Sequence, residues 1–453
     1  MSTDKNKITL PMFCNQCGLS APNGCGSSGQ DQGTCGKSDT IARLQDILIF
    51  GIKGLAAYRE HARELGADTR PVDDIIAETL YFTMTNVNFS FDRHIEQLMK
   101  VGRVGVEVMN LLSDAHTQAM GIPTPVKVSQ NKAEGHAILV TGHNLTMLQK
   151  LLAATEGKGI NVYTHSEMLP AHGYPELRRH AHLKGNIGGA WHDQNKLFSA
   201  FSGTIIASTN CLAPLKKNAN YANRLYGYKI TSIEGIKHIE NDDFAPLIAQ
   251  TLELPPVTGF NVEHHITTGH HYKTILTLAP KVVEAVQQGA LRQFFVIAGC
   301  DSPGSAGDYY RKLAQSLPDD CVILTTSCGK FRFNDLDFGT IGNTGIPRFL
   351  DLGQCNDSIG AVHLALALSQ ALNLPLEQLP VRIVMSWMEQ KAVIILLALF
   401  SLGIKNIAIG PKPPQFLNDG IFEFLAQNFN LKMIGDVETD LQEMLIKRAD
   451  KAA

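Results

Sequence analysis

The stretch that decides the fold runs from Phe294 to Lys391. Within it FFVIAGC closes at Cys300, VILTTSC closes at Cys328, and RIVMSW (382–387) runs on into Met388-Glu389. Each is a short apolar run rich in β-branched residues and bounded by turn-forming residues, the pattern of a strand buried on both faces. Cys355 falls between the second and third runs, in the loop LDLGQCND (350–357) just ahead of a helical pattern. Parallel strands send their carboxyl ends to one edge of a sheet, where ligands bind. Three thiols and the Glu389 carboxylate at such an edge predict a metal site rather than a packed core. Cys321, at the opposite end of its strand, is expected to be a buried core thiol.

Working upstream, the same arrangement recurs. AILVTGH (137–143) ends at His143, INVYTHSE (160–167) at Glu167 and GTIIASTNC (203–211) at Cys211, with a helical LTMLQKLLAAT after the first. Alternation of strand and helix predicts βαβ units and a second parallel sheet. Each strand again delivers a group able to bind a metal just past its end. Residues 212–268 read as a connection with one amphipathic helix, Asp242 to Leu252. His264, His265, His270 and His271 in and after it are expected to form a polar surface turn. Downstream, a helix over 271–288 is interrupted at Pro280, and the strand NIAIG (406–410) precedes one or two C-terminal helices.

The first 127 residues differ in kind. MFCNQCGLSAPNGCGSSGQDQGTCG (12–36) has the thiol spacing C-x2-C-x7-C-x9-C in a glycine-rich loop. Cys14, Cys17, Cys25 and Cys35 could therefore surround an iron–sulfur cluster or a tetrahedral zinc. Helical patterns follow over Ser38–Leu65, Val72–Thr85 and Phe91–Leu112, predicting an antiparallel three-helix bundle. His94 and His116 in it are expected to be solvated. The expected organisation is an N-terminal cysteine loop plus helical bundle (1–127), a first α/β domain (128–268) and a second (269–453), with mainly parallel sheets facing each other across a cleft.

Composition narrows the class. At 453 residues, with 44% apolar and 18% charged residues, the chain is long enough for several cores and reads as globular. Forty basic against 43 acidic residues leave a charge of −3, which argues against a nucleic-acid or polybasic membrane surface. The longest apolar run, Ala392–Leu402, falls short of the roughly 20 residues that span a bilayer. Nine cysteines, an odd and clustered set, suit metal or redox chemistry in a reducing cytoplasmic setting. There is no G-x-G-x-x-G opening a helix after a strand, so an external electron donor is expected for any redox reaction.

Pooled, the strand ends offer His143, Glu167, Cys211, Cys300, Cys328, Cys355 and Glu389. Seven ligands exceed one zinc and predict a multinuclear centre. Thiolates favour iron–sulfur bonding, and imidazole and carboxylate a harder, oxygen-bridged iron. Lys391 is two residues beyond Glu389; it is either a proton or anion-holding group or a solvated lysine at a helix start.

These strings together carry a family resemblance: MFCNQC, TNVNF, TGHNL, YTHSEMLPAHGYPEL, GGAW, TNCL, AGCD, CGKFRFN, LGQCND and SWMEQKAV. The chain resembles the hybrid cluster proteins, the hydroxylamine reductase or prismane family, over nearly its whole length. The resemblance implies a hybrid [4Fe-2O-2S] cluster held by His143, Glu167, Cys211, Cys300, Cys328, Cys355 and Glu389. It also implies a persulfide-forming thiol at Cys300 and a catalytic lysine at Lys391 beside Glu389. The single helical bundle is similar to the family's compact class, which lacks a second one. At the N-terminus the first three thiols match the spacing of [4Fe-4S] members, although the final gap of nine is longer. A [4Fe-4S] cluster is expected there, with [2Fe-2S] the alternative.

The resemblance implies reduction of small nitrogen species, hydroxylamine to ammonia and water or nitric oxide to nitrous oxide. Electrons would enter at the N-terminal cluster, and an oligomer is compatible with the sequence. The rivals are an enzyme like the nickel–iron carbon monoxide dehydrogenases, a non-enzymatic iron–sulfur sensor or protein-nitrosylating factor, and a zinc-bound structural protein.

Overall fold

The computed structural model describes residues 14, 16–21, 24–25, 32–209, 211–261 and 264–446. Two six-stranded sheets dominate, and both are wholly parallel. The first runs Leu183–Asn186, Ile160–His165, His136–Thr141, Thr204–Ala207, Leu225–Tyr228, Lys237–Ile239 across its width. The second runs Phe349–Asp351, Cys321–Thr325, Gln293–Gly299, Val381–Ser386, Ile407–Gly410, Lys432–Met433. Numbered within each sheet, both have the order 3-2-1-4-5-6. In that order the sense in which successive strands are added reverses between strands 1 and 4, and the helices leaving them part to opposite faces, opening a crevice. An antiparallel ribbon, Val126–Ser129 against His265–Thr268, joins the two ends of the first unit.

The expected α and α/β architecture is present. The sequence missed the outer strands because two to four residues carry too little periodicity to register. The helical stretch over 271–288 is interrupted at Pro280 as expected: Tyr272–Ile275 and the turn Leu276–Leu278 end before it, and Pro280 stands in the first turn of a new helix, Ala279–Gln287, where its missing N–H costs nothing.

The N-terminal helices differ from the expectation in their partners. Asp39–Glu64, capped by Ser38 Oγ, packs along Phe91–Met120, capped by Ser90 Oγ. The third member of this layer is chiefly Gln390–Ser401, from the second α/β unit, whereas Arg70–Phe82 packs at the margin. One apolar core therefore runs unbroken from Leu48, Leu55 and Leu112 through Ile394 and Leu397 to Ile383 and Val322. The first sheet keeps its own cores on its two faces. Among the described residues no helix is long and apolar enough to cross a membrane.

Candidate metal centre

The ligand-type side chains leave their strands through a common backbone device. Gly142 (φ 110°) precedes His143, Ser166 (53°) precedes Glu167, Gly299 (108°) precedes Cys300 and Ser327 (71°) precedes Cys328. Cys211 is itself left-handed (68°), and Gly353 (129°) stands two residues before Cys355. A left-handed residue turns the chain sharply off the strand axis and aims the next side chain across the sheet's edge. For Ser and Cys this conformation is strained, and such strain persists where the surroundings enforce it. Three of the turns, at Gly142, Gly299 and Gly353, also need the absence of a Cβ. One at Gly142 would lie 2.6 Å from Ser208 Oγ, and one at Gly299 2.9 Å from Ser386 N. His143 and Cys211 leave the crevice strands of the first sheet, Cys300 and Glu389 those of the second.

The two sheets present these edges to each other. Glu167 Oε2 accepts from the Cys355 backbone N–H at 2.8 Å, and the Glu167 carbonyl accepts from Gln354 Nε2 at 2.6 Å. Ser166 Oγ is 3.3 Å from Cys328 Sγ, and Trp191 stacks on Trp387 with centroids 5.7 Å apart. His143 Nε2 lies 3.6 Å from Glu167 Oε2. Ligand atoms of His143, Glu167 and Cys355 all fall within 4.8 Å of one another, and Cys300 Sγ is 4.0 Å from Glu389 Oε2. Cys211 and Cys328 interact electrostatically with this group, Cys211 with Glu389 and Cys355, Cys328 with Glu167 and Cys211. All seven residues singled out from strand ends are thus gathered at one place.

The electrostatics ask for a cation. Burial pushes the thiols of Cys211, Cys300 and Cys328 well above the usual cysteine range, and that of Cys355 up to about 12; neighbouring carboxylates and thiols add to it. Burial likewise raises the Glu167 and Glu389 carboxyls, opposed by nearby lysines, and lowers His143. Among the described residues Glu167 Oε1 is buried with no hydrogen-bond partner. Four thiols, two carboxylates and an imidazole are costly to hold dry as they stand, and a multiply charged metal group is what would stabilise them. The donor set fits a mixed sulfur- and oxygen-ligated iron centre.

A second layer of side chains orients these groups. Thr209 Oγ1 is 2.9 Å from His143 Nδ1 and accepts from the His143 N–H at 2.8 Å, which leaves Nε2 directed at Glu167. Lys391 is buried: its Nζ donates to Asn356 Oδ1 at 3.0 Å and lies 5.6 Å above the Tyr58 ring. Of its two readings, the solvated lysine is therefore set aside. Tyr58 donates to the Cys355 carbonyl at 3.2 Å. Lys330, wholly buried, donates to Asp351 Oδ1 and the Gly353 carbonyl, both at 2.6 Å, and so fixes the loop that carries Cys355. Sequence reasoning named neither Tyr58, Lys330 nor Asn356. The last two stood in CGKFRFN and LGQCND and could have been weighed there; nothing marked Tyr58.

Other expectations resolve as follows. Cys321 is fully buried in the core outside the second sheet. His94 and His116 are not solvated. His94 Nδ1 meets the Ser90 carbonyl at 2.7 Å and its ring packs edge-on to Phe82, while His116 packs against Tyr174. Of the four histidines read as a surface turn, His265 is exposed, but His270 and His271 are buried. His270 receives the Asp351 N–H, and His271 contacts Tyr272.

In the N-terminal loop Cys14 and Cys25 are buried together against Ala42, Cys17 is exposed and Cys35 is half-buried. Burial raises the Cys14 thiol, offset in part by the Gln16 backbone and by Lys37. Lys37 is itself buried and donates to Gln16 Oε1 at 2.8 Å.

Residues 12–98 and 76–442 match the model of the Prismane/CO dehydrogenase family. A hydroxylamine reductase of Moorella thermoacetica is 47% identical over 435 residues, 96% of this chain and 100% of that protein. The hydroxylamine reductase of Methanothermobacter thermautotrophicus is 45% identical with the same coverage. That of Geobacter metallireducens is longer: 45% identity extends over 88% of this chain but 72% of that protein. Among solved structures, carbon monoxide dehydrogenase IV of Carboxydothermus hydrogenoformans shares the fold, with a TM-score of 0.78 at 15% identity, covering 96% of this chain and 91% of that one. The chain belongs to the Prismane/CO dehydrogenase family.

Proposed function

We propose that this protein is an iron–sulfur oxidoreductase that reduces small nitrogen compounds, hydroxylamine foremost. The observation that carries the reading is the gathering of four thiols, two carboxylates and an imidazole from the carboxyl edges of two facing sheets. The full-length relatives named hydroxylamine reductase supply the substrate class. In this reading His143, Glu167, Cys211, Cys300, Cys328, Cys355 and Glu389 hold a hybrid [4Fe-2O-2S] cluster. Cys14, Cys17, Cys25 and Cys35 hold a [4Fe-4S] cluster, where electrons enter from a separate donor protein. When bound, the hybrid cluster would supply electrons and open coordination to the nitrogen compound.

The chain's own residues do the rest. Hydroxylamine, two electrons and two protons give ammonia and water. Lys391 Nζ, held by Asn356 Oδ1 and faced by the Tyr58 ring, is placed to hold a proton beside the reacting groups. The Glu389 carboxylate, 4.0 Å from Cys300 Sγ, is the second such group. Thr209 keeps His143 in one orientation, and the half-buried Trp191 and Trp387 stack across the seam between the sheets.

Anaerobic metal analysis with electron paramagnetic resonance, followed by a hydroxylamine turnover assay with a chemical reductant, tests the proposal. Iron in two cluster types with ammonia produced is expected. Stoichiometric nickel with carbon monoxide oxidation would overturn it, as would both clusters present with no nitrogen substrate reduced.

A further inference from the structure

A cavity of about 480 Å³ runs from the surface turn at Ile230, which is 93% exposed, inward to Cys211 and Lys391. Its walls come from the last turns of helix Asp39–Glu64 and from the chain beyond strands Thr204–Ala207 and Leu225–Tyr228. A water's share of liquid volume is about 30 Å³, so the space far exceeds what a molecule of two heavy atoms fills. It is wider than a pocket fitted to such a molecule.

One ion pair ties the walls together. Lys229 Nζ meets Glu64 Oε1, and both residues line the cavity. The other Glu64 oxygen accepts from Asn144 Nδ2 at 2.7 Å. Asn144 follows His143 and caps helix Leu145–Thr155 through its Oδ1 to the Met147 N–H at 2.8 Å. Lys229 reaches Glu64 from a left-handed backbone (φ 51°), a strained conformation for a lysine, held by its N–H to the Ile239 carbonyl at 2.9 Å. Its ammonium also lies 5.3 Å from the Tyr228 ring centroid. The turn carrying Ile230 is thus fastened to the helical layer by this pair, across the opening to the metal centre.

We propose that this cavity is the passage by which substrate reaches the centre, and that the Glu64–Lys229 pair sets its bore and so limits which N–O compounds enter. The proposal rests on the reductase reading of the same centre. Two kinds of variant test it in the holoprotein, each checked for an unchanged resonance signature. Ala57→Trp, on the cavity wall, is expected to slow nitric oxide association, followed by stopped-flow absorbance without turnover, by about tenfold or more. Lys229→Ala and Glu64→Gln are expected to raise kcat/KM for N-benzylhydroxylamine relative to hydroxylamine by about tenfold, with Lys229→Arg restoring the original ratio. Ala57→Trp associating at the wild-type rate would overturn the passage. An unmoved ratio, or a resonance signature changed by Lys229→Ala, would overturn the pair's role in setting the bore. Wild-type protein that neither binds nitric oxide nor turns over hydroxylamine would instead remove the reductase reading, and this inference with it.

Discussion

Two glycines hold the helix that carries Glu389 and Lys391, and replacing them tests how the site is built. Helix Gln390–Ser401 lies in the groove between Asp39–Glu64 and Phe91–Met120, close enough that Gly54 and Gly102 face its backbone. A Cβ on Gly54 would sit 2.5 Å from Ile394 Cγ2 and 2.7 Å from the Gln390 carbonyl oxygen; one on Gly102 would overlap the Leu397 carbonyl. Relaxed contacts between carbon atoms lie at about 3.5–4.0 Å, so the helix must retreat by about 1 Å. On helix propensity alone, Gly→Ala would stabilise by about 1 kcal/mol. Overpacking costs about 1–3 kcal/mol, and backbone atoms cannot rotate aside as a side chain does, which places both sites at the upper end and the net loss near 2 kcal/mol. Gly420→Ala is the control. Its position is helical, and its nearest neighbour, Asn418 Oδ1, is 3.8 Å away, so it should gain what propensity offers. The thermal midpoint of anaerobically purified protein should fall for Gly54→Ala and Gly102→Ala and rise for Gly420→Ala. Because Gln390 lies between Glu389 and Lys391, Gly54→Ala should also lower hydroxylamine turnover; a displacement of about 1 Å costs on the order of a hundredfold. A raised midpoint with intact turnover in Gly54→Ala would refute the close packing and the positioning argument together.

Four further outcomes are expected. Lys330→Met leaves Asp351 buried without its cation and should destabilise by about 3–5 kcal/mol, read as loss of soluble holoprotein; Lys330→Met with Asp351→Leu should recover much of it, and a single variant as stable as wild type would contradict the pair's importance. His116, His172 and His271 are held neutral by burial with pKa values of about 4, so the unfolded chain binds protons that the folded one refuses between roughly pH 6.5 and 4. Stability should therefore fall with acidification through that window, and His116→Gln should flatten the dependence measured by denaturant midpoint; an unaltered slope would count against it. Glu389→Ala should abolish hydroxylamine turnover while the resonance signal of the N-terminal cluster persists, and unchanged turnover would remove Glu389 from the ligand set. Cys321→Ser keeps a donor beside Asp320 Oδ1, which the thiol meets at 3.6 Å, and should leave iron content unchanged; lost iron would mean the ligand list is wrong.

What was legible in the chain follows from where its information is local. A strand buried on both faces announces itself as a continuous apolar run, and its end as the residue where the run stops. His143 could therefore be assigned to the carboxyl edge of one sheet, and Cys300 and Cys328 to that of another, without any knowledge of the tertiary structure. Glycine marks the turns before His143 and Cys300, because only a residue without a Cβ takes that conformation freely. The equivalent turns at Ser166, Ser327 and Cys211 use ordinary residues forced left-handed, and no sequence rule flags them. The histidines failed for the opposite reason. His94, His116, His270 and His271 look like surface residues by type, and their burial depends on partners such as Phe82, Tyr174 and Tyr272 contributed by separate elements.

The helix from the second α/β unit that joins the N-terminal helices shows why this matters for the site. Periodicity says that a helix has an apolar face, not which helix will cover it. Here the cover for Asp39–Glu64 and Phe91–Met120 is Gln390–Ser401, about 270 residues beyond them, apolar nearly all round and so without a face of its own to read. That choice of partner lets one helical layer act on the site from two sides. It brings Tyr58 against Cys355 and Lys391, and it sets the depth at which Glu389 leaves its strand. The first sheet meets that layer through Asn144 to Glu64 and Lys229 to Glu64. If the helices were an independent bundle, substitutions on their inner surface would alter stability and leave the chemistry alone. In the observed packing Gly54 and Tyr58 sit one turn apart, the first under the start of the helix carrying Lys391 and the second under Cys355, so neither can change without moving both.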